Sequence, residues 1–244
     1  MKCLILAAGY ATRLYPLTKD RPKPLLEVKG KTILDWLIDD IRTSRQIDEF
    51  IVVTNHRFAE IFTEWAKDRD DIRIVDDLTE TNETRRGAVC DIEYAIEERQ
   101  IDDDLLVIAG DNVLDFSLCS FIDYAMAKKT SCTMRYHETV KEKLQRSGVS
   151  IIDENERLLE LEEKPLEPKS EWCTPPFYIY LAEDVKKIRT AIAEGCATDA
   201  PGSLAAWMCR NSIVHSMEMP GKRYDIGNLE SYRSVQETYE GIRY

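Results

Sequence analysis

The chain has 244 residues, 43% of them hydrophobic and 32% charged, with a formal net charge of −12. That length suits one larger α/β domain, and the composition fits neither a disordered chain nor a fibre. The acidity argues against a nucleic-acid surface, which relies on an excess of lysine and arginine. No run approaches the ~18 apolar residues of a membrane helix.

In chain order, "CLILAA" (3–8) is a continuous apolar run with the length of a strand buried on both faces. It is too short for a signal peptide. Residues 32–45 read as a helix, with Thr32 and Asp35 as an N-terminal capping pair and Ile33, Leu34, Leu37, Ile38 and Ile41 as its apolar stripe. "FIVVT" (50–54) is the next strand, and an amphipathic helix follows through Phe58, Ile61, Phe62 and Trp65. Then come "IRIV" (72–75), a polar loop (76–86), a helix from about Gly87 to Arg99 and the strand "LLVIAGD" (105–111). This alternation predicts a mainly parallel sheet with helices on both faces, a three-layer α/β/α arrangement. After residue 115 the rhythm loosens. A helix near 117–129 leads to strands at 131–136, 148–152 and 177–181. Helices near 182–194 and 200–210, a strand near 213–218 and a last helix near 229–242 complete the reading.

Seven scattered cysteines without a C-x-x-C pair, and three isolated histidines, predict reduced thiols and a cytoplasmic setting. They offer neither a disulfide framework nor a zinc site. Ligands of an open parallel sheet bind outside the carboxyl ends of its strands. "AAGYATR" and "AGD" each follow a strand directly. In the first, Gly9 permits a turn, Ala8 and Ala11 allow close approach, and Arg13 offers a planar fork suited to phosphate oxygens. Lys23 adds a point charge between Pro22 and Pro24. Neither the P-loop spacing nor the dinucleotide fingerprint G-x-G-x-x-G is present. Taken alone, this stretch reads as an anion site or as a solvated surface loop.

Asp111, in "GDN", and Asp225, in "RYDIGN", each read as a turn or cap residue or as a ligand for a hard cation. Magnesium favours one or two carboxylates together with phosphate oxygens and water. Glu163 beside Lys164 is either a surface pair or a contact for a sugar hydroxyl and a phosphate.

Five islands in order, "LAAGYATRLYPLT" with "RPKPLL", then "AGDN" (109–112), "GV" (148–149), "EEKP" (162–165) and "YDIGNLESY" (224–232), resemble the sugar-1-phosphate nucleotidyltransferase family. The resemblance spans nearly the whole chain. It implies a nucleotidyltransferase fold of the glycosyltransferase-A-like kind in one domain, with residues 1–115 binding nucleotide and 116–244 binding the acceptor. It further implies Mg²⁺-dependent transfer of a nucleotidyl group from a nucleoside triphosphate to a sugar-1-phosphate, with pyrophosphate released. Leu6, Ala8, Gly9, Tyr10, Ala11, Thr12, Arg13, Lys23, Asn82, Gly87 and Gly110 would bind the nucleotide, Arg13 and Lys23 being catalytic through its phosphates. Asp111 and Asp225 would hold Mg²⁺, and Gly148, Glu163, Lys164 and Tyr178 would contact the acceptor. A pyrimidine triphosphate, a homo-oligomer, and no nucleic-acid or membrane partner are the family expectations.

Four positions depart from the family pattern. Ala11 stands in place of a glycine, Pro176 in place of a glycine before an aromatic, Arg223 in place of a frequent tryptophan and Asn228 in place of a threonine. As a group they point to altered substrate choice rather than altered phosphate chemistry. The left-handed β-helix that some relatives carry is not expected within these 244 residues. The same chemistry on phosphocholine or another non-sugar phosphate, by a cytidylyltransferase, is the alternative; a silent nucleotide-sugar sensor is another. A nicotinamide oxidoreductase is disfavoured by the missing glycine fingerprint.

Overall fold

A computed structural model describes residues 1–244. Its first elements are β1 (Lys2–Leu6), the hairpin β2 (Glu27–Val28) and β3 (Lys31–Thr32), α1 (Ile33–Arg42), β4 (Glu49–Thr54) and α2 (His56–Ala66). They are followed by β5 (Ile72–Asp76), α3 (Ala88–Arg99), β6 (Leu105–Ala109), β7 (Val113–Leu114), α4 (Cys119–Lys128) and β8 (Ser131–His137). Next are α5 (Lys141–Leu144), β9 (Gly148–Ile152), β10 (Leu158–Glu163), β11 (Trp172–Thr174) and β12 (Phe177–Tyr180). The last are α6 (Ala182–Val185), α7 (Ile188–Ala193), α8 (Pro201–Asn211), β13 (Val214–Glu218), β14 (Arg223–Tyr224) and α9 (Leu229–Thr238).

The chain forms two compact units that interleave in sequence rather than divide it at one point. The first comprises Cys3–Arg85, Ala109–Ser120 and Pro220–Tyr244; the second comprises Met1–Lys2, Arg86–Ile108 and Phe121–Met219. In the first, strands run in the order β1-β4-β5, with β4 and β5 parallel from Phe50↔Ile72 to Thr54↔Asp76. β4 is buried from Phe50 to Thr54, as a parallel strand covered on both faces must be, whereas β5 exposes Arg73. Helix α1 starts where Thr32 accepts a hydrogen bond from the Asp35 amide, and it buries Ile33, Leu34, Leu37, Ile38 and Ile41. The sequence pattern predicts both features.

In the second unit the order is β10-β9-β11-β8-β12-β6, with β13 joining β8. Here the neighbours pair antiparallel apart from β13 with β8. The single helix expected over 182–194 is two. Buried Asp184 accepts from Ser131, Ser212 and Lys187, and these bonds hold the turn between α6 and α7. The last helix stops at Thr238, because Tyr239 turns to extended backbone and is buried edge-on against Trp36 and Tyr224. Its hydroxyl donates to the Leu114 carbonyl at 2.8 Å.

Candidate active site

In the first unit, one apolar cluster gathers segments that are far apart in sequence. Leu14, Leu26, Val28, Ile33, Val113, Ile226, Val235 and Tyr239 are buried together. Three of these anchors lie next to candidate functional residues: Leu14 beside Arg13, Val113 two residues after Asp111, Ile226 beside Asp225. Burying an Ile, Val or Leu contributes roughly 1.5–3 kcal/mol, so hydrophobic packing is what holds these segments together.

The loop after β1 is built by hydrogen bonds that the sequence does not announce. Asn55, buried as the N-cap of α2, accepts from Phe58 N and donates its amide to the Ala8 carbonyl at 2.9 Å. Tyr10 points inward, and its hydroxyl donates to the Thr79 carbonyl at 3.1 Å. Ala11 has φ +46, the left-handed conformation in which glycine is the low-cost residue. Its carbonyl accepts from Thr18 Oγ1 and from Leu14 N. Thr12 and Arg13 follow in a short 3₁₀ turn, both exposed, and the Arg13 guanidinium has no ion-pair partner. Gly9 is exposed, its φ is not positive, and a Cβ there would meet nothing within 4 Å. The fold itself therefore has no need of glycine at position 9, and the free space is open to a ligand. Gly110 is different: a Cβ there would lie 2.9 Å from Ile5 Cγ2, and its amide donates to the Leu6 carbonyl.

Lys23 is 8% exposed, and its ammonium donates to Asp111 Oδ2 at 2.8 Å. Burial disfavours ionisation of Asp111, but the Lys23 charge and hydrogen bond, with the Arg223 charge, outweigh it and hold the carboxyl below its ordinary range. Strand β14 pairs antiparallel with β7 as Arg223↔Leu114 and Tyr224↔Val113. The exposed Asp225 directly follows β14, and Asp111 and Asn112 directly precede β7. Arg223 Nη1 donates to Asn112 Oδ1 at 3.2 Å. Sequence reading assigned Arg223 to substrate choice; the structure places it against Asn112, with its charge near Asp111. Asn228 also has a local explanation: it caps α9, accepting from the Ser231 amide while Ser231 Oγ accepts from the Asn228 amide. Asn82 is exposed on the loop after β5, where its oxygen accepts from Arg85.

A second cluster forms within the other unit. Glu163 ends β10 opposite Gly148. A Cβ on Gly148 would come within 3.1 Å of Glu163 Oε1, and one on Gly202 would fall on that same oxygen and within 3.4 Å of the Tyr178 hydroxyl. Gly148, Glu163 and Tyr178, expected to act together, are thus in one place, and Gly202 of α8 is the member the sequence reading missed. Its "PGS" context at a helix start, where glycine is otherwise disfavoured, is the signal that points to a close approach. Lys164 leaves the strand at φ +50, its amide donating to the Ser147 carbonyl and its side chain exposed. Burial raises the Glu163 pKa, the Lys164 charge opposes this, and the Asp199 charge adds to it. Gly87 belongs to this second unit, at the start of α3, packed on Thr198 and Asp199.

No group of three or more His, Cys, Asp or Glu side chains forms a protein-only metal site. Two carboxylates, Asp111 and Asp225, are the hard oxygen donors of the first cluster. That donor set suits a cation such as Mg²⁺, which completes its shell with substrate phosphate and water. No helix is long and apolar enough to cross a membrane.

Against known proteins, the family model described as nucleotidyl transferase matches residues 2–241. The UTP–glucose-1-phosphate uridylyltransferase AglF of Haloferax volcanii is 25% identical, over 97% of this chain and 96% of its own length. The bifunctional protein GlmU of Methanocaldococcus jannaschii is 29% identical over 73% of this chain, but the match spans only 39% of that longer protein. A solved UDP-glucose pyrophosphorylase complexed with UDP-glucose superposes with a TM-score of 0.80 at 18% identity, covering 98% of this chain and 97% of that one. That likeness carries the fold, a mixed α/β architecture around a large sheet. With the model match running nearly end to end, this chain belongs to the nucleotidyl transferase family.

Proposed function

We propose that this protein transfers a nucleotidyl group from a pyrimidine nucleoside triphosphate to a sugar-1-phosphate in a Mg²⁺-dependent reaction, with a hexose-1-phosphate such as glucose-1-phosphate as the favoured acceptor. The Lys23–Asp111 pair beside the open Gly9–Arg13 loop carries this reading. The match with AglF along nearly all of both chains supports the acceptor class and UTP. Asp111 and Asp225 would hold the ion, which when bound neutralises phosphate charge and helps align the reacting groups. The acceptor phosphate is already ionised near neutral pH, so no protein nucleophile is required. Its oxygen attacks the α-phosphorus, one P–O bond forms as another breaks, and pyrophosphate leaves. Loop amides around Gly9 cradle the chain of phosphates, Arg13 neutralises the outer ones, and Lys23 the reacting ones. Glu163 accepts from acceptor hydroxyls.

The test is pyrophosphate release in Mg²⁺, crossing ATP, GTP, CTP, UTP and dTTP with glucose-1-phosphate, mannose-1-phosphate, N-acetylglucosamine-1-phosphate and phosphocholine. Turnover is expected with a pyrimidine triphosphate and a sugar phosphate, and its loss in Asp225→Ala. Turnover with phosphocholine alone would move the reading to a cytidylyltransferase of another class. Silence in every combination would overturn it.

Glu163 supplies a second check, because its proposed duty conflicts with its environment. A carboxyl whose folded pKa is raised contributes stability fully below its unfolded pKa and loses it as pH rises through the folded value. Glu163→Gln is therefore expected to match the wild-type Tm near pH 4 and to exceed it at pH 7. The same substitution is expected to raise the acceptor KM about 10- to 100-fold, as removal of one charge-assisted hydrogen bond does. Unfolding at the two pH values and acceptor titration read both effects. A lower Tm at pH 7 would show that ionised Glu163 is held by donors after all.

A further inference from the structure

Lys23 and Asp111 neutralise one another across 2.8 Å. Asp225, which follows β14 where that strand pairs with β7, adds a negative charge. These three groups alone would therefore meet a polyphosphate with surplus negative charge, leaving Arg13 of the loop after β1 and a divalent cation to offset it. Arg223 changes that balance. It stands in β14 directly across from Leu114, and its Nη1 bonds Asn112 Oδ1 at 3.2 Å.

Asn112 is built to aim it. That residue is 2% exposed, and its amide nitrogen donates to the Ala109 carbonyl at 2.7 Å. With the nitrogen so engaged, its oxygen turns to the guanidinium. A guanidinium has five N–H donors, and Asn112 uses one. The remaining donors sit on a half-buried side chain next to Asp111, in the planar fork that fits phosphate oxygens. A tryptophan, the frequent residue in the family at this position, has one ring donor and no charge.

We propose that Arg223 is a phosphate-binding residue of this site, aimed by Asn112 beside Asp111, so that polyphosphate binding here depends only in part on a divalent cation. The ligand class is the tri- or diphosphate moiety, whether in the nucleotide or in released pyrophosphate. This proposal rests on the nucleotidyl-transfer reading above.

Inorganic tripolyphosphate tests it, since the probe carries the charge and no base. Calorimetric titration of wild type, Arg223→Gln and Arg223→Lys would be run in EDTA and in Mg²⁺, with thermal unfolding as the folding control. Wild type is expected to bind in EDTA, Arg223→Gln to bind at least tenfold more weakly there, and the deficit to shrink when Mg²⁺ is supplied. Arg223→Lys is expected to lose less than the glutamine variant. Equal affinity of wild type and Arg223→Gln in EDTA would overturn the assignment and leave the reaction class standing. No binding by wild type in either condition would overturn both. A second measurement needs no variant: tripolyphosphate is expected to slow modification of Arg223 by phenylglyoxal, read by peptide mass spectrometry. An unchanged modification rate would overturn the proposal even if Arg223→Gln failed to fold.

Discussion

Lys23→Ala is expected to lower kcat/KM by about 10²- to 10³-fold, the loss that follows removal of one preorganised donor at a developing charge, while the fold survives. The two consequences separate because the pair is unequally exposed. Lys23 is 8% exposed, whereas the Asp111 side chain is 44% exposed. Without Lys23, Asp111 keeps access to water and retains the Arg223 charge nearby. Its carboxyl pKa is then expected to rise toward the ordinary range. The accompanying loss of stability is expected at neutral pH and to vanish in acid, since a depressed carboxyl contributes stability above its unfolded pKa and loses it as pH falls through the folded value. The reverse substitution is expected to cost more in stability: Asp111→Ala strands an enclosed ammonium, and removing one partner of a buried pair is the expensive direction. Pyrophosphate release and thermal unfolding of the two variants decide the matter. Unchanged kcat/KM in Lys23→Ala would remove Lys23 from the reacting centre.

Gly87→Ala is expected to destabilise the protein by about 2–4 kcal/mol, within the range of strained and overpacked sites. Two independent causes coincide at this residue. Its φ is +91 with ψ 152, a conformation that side chains rarely adopt. A Cβ would also lie 2.5 Å from the Thr198 oxygen, 2.9 Å from its carbonyl carbon and 3.2 Å from the Asp199 Cα. All three are backbone atoms, so no rotamer change relieves the contact. The Val89 amide donates to the Thr198 carbonyl at 3.0 Å and the Ala88 amide to the Asp199 carbonyl at 3.4 Å, which pin the two segments together. Displacing Thr198 and Asp199 shifts the lead into α8, where Gly202 presses on the Glu163 carboxylate. Gly87→Ala is thus expected to raise the acceptor KM as well as lower the Tm, by roughly 5–15 °C for a chain of this size. Urea unfolding and acceptor titration measure both. A loss under ~0.5 kcal/mol, typical of a plain surface change, would mean that the Thr198 segment yields freely.

The same residue shows how a role can be visible in sequence and its physical basis hidden. "RRGAVCDI" marks Gly87 through family pattern, yet the clash that demands glycine comes from residues more than 100 positions later. Ala11 is the converse case. Family pattern expects glycine, and the structure finds a left-handed φ there, so the backbone shape persists with a methyl group added.

Local chemistry was sufficient for much of this protein. Thr32 with Asp35 and the stripe from Ile33 to Ile41 specify α1 because capping and 3.6-residue periodicity act within one helix. The strand runs at 50–54 and 105–109 are legible because strands buried on both faces read as continuous apolar runs. The order of charged islands specified the chemistry. β10 escaped notice because a bulge between Leu158 and Glu160 breaks its alternation, leaving Leu158 and Leu161 buried three residues apart. What only tertiary structure decided was convergence. Nothing local to Lys23, Asp111 or Arg223 says that they meet. The buried cluster of Leu14, Leu26, Val113 and Ile226 and the β7–β14 register bring their segments together. Hydrophobic burial is non-directional and acts between residues at any sequence separation; hence the sequence by itself determined the family and the candidate groups, and the packing determined that Arg223 stands beside Asp111 and that Gly202 closes on Glu163.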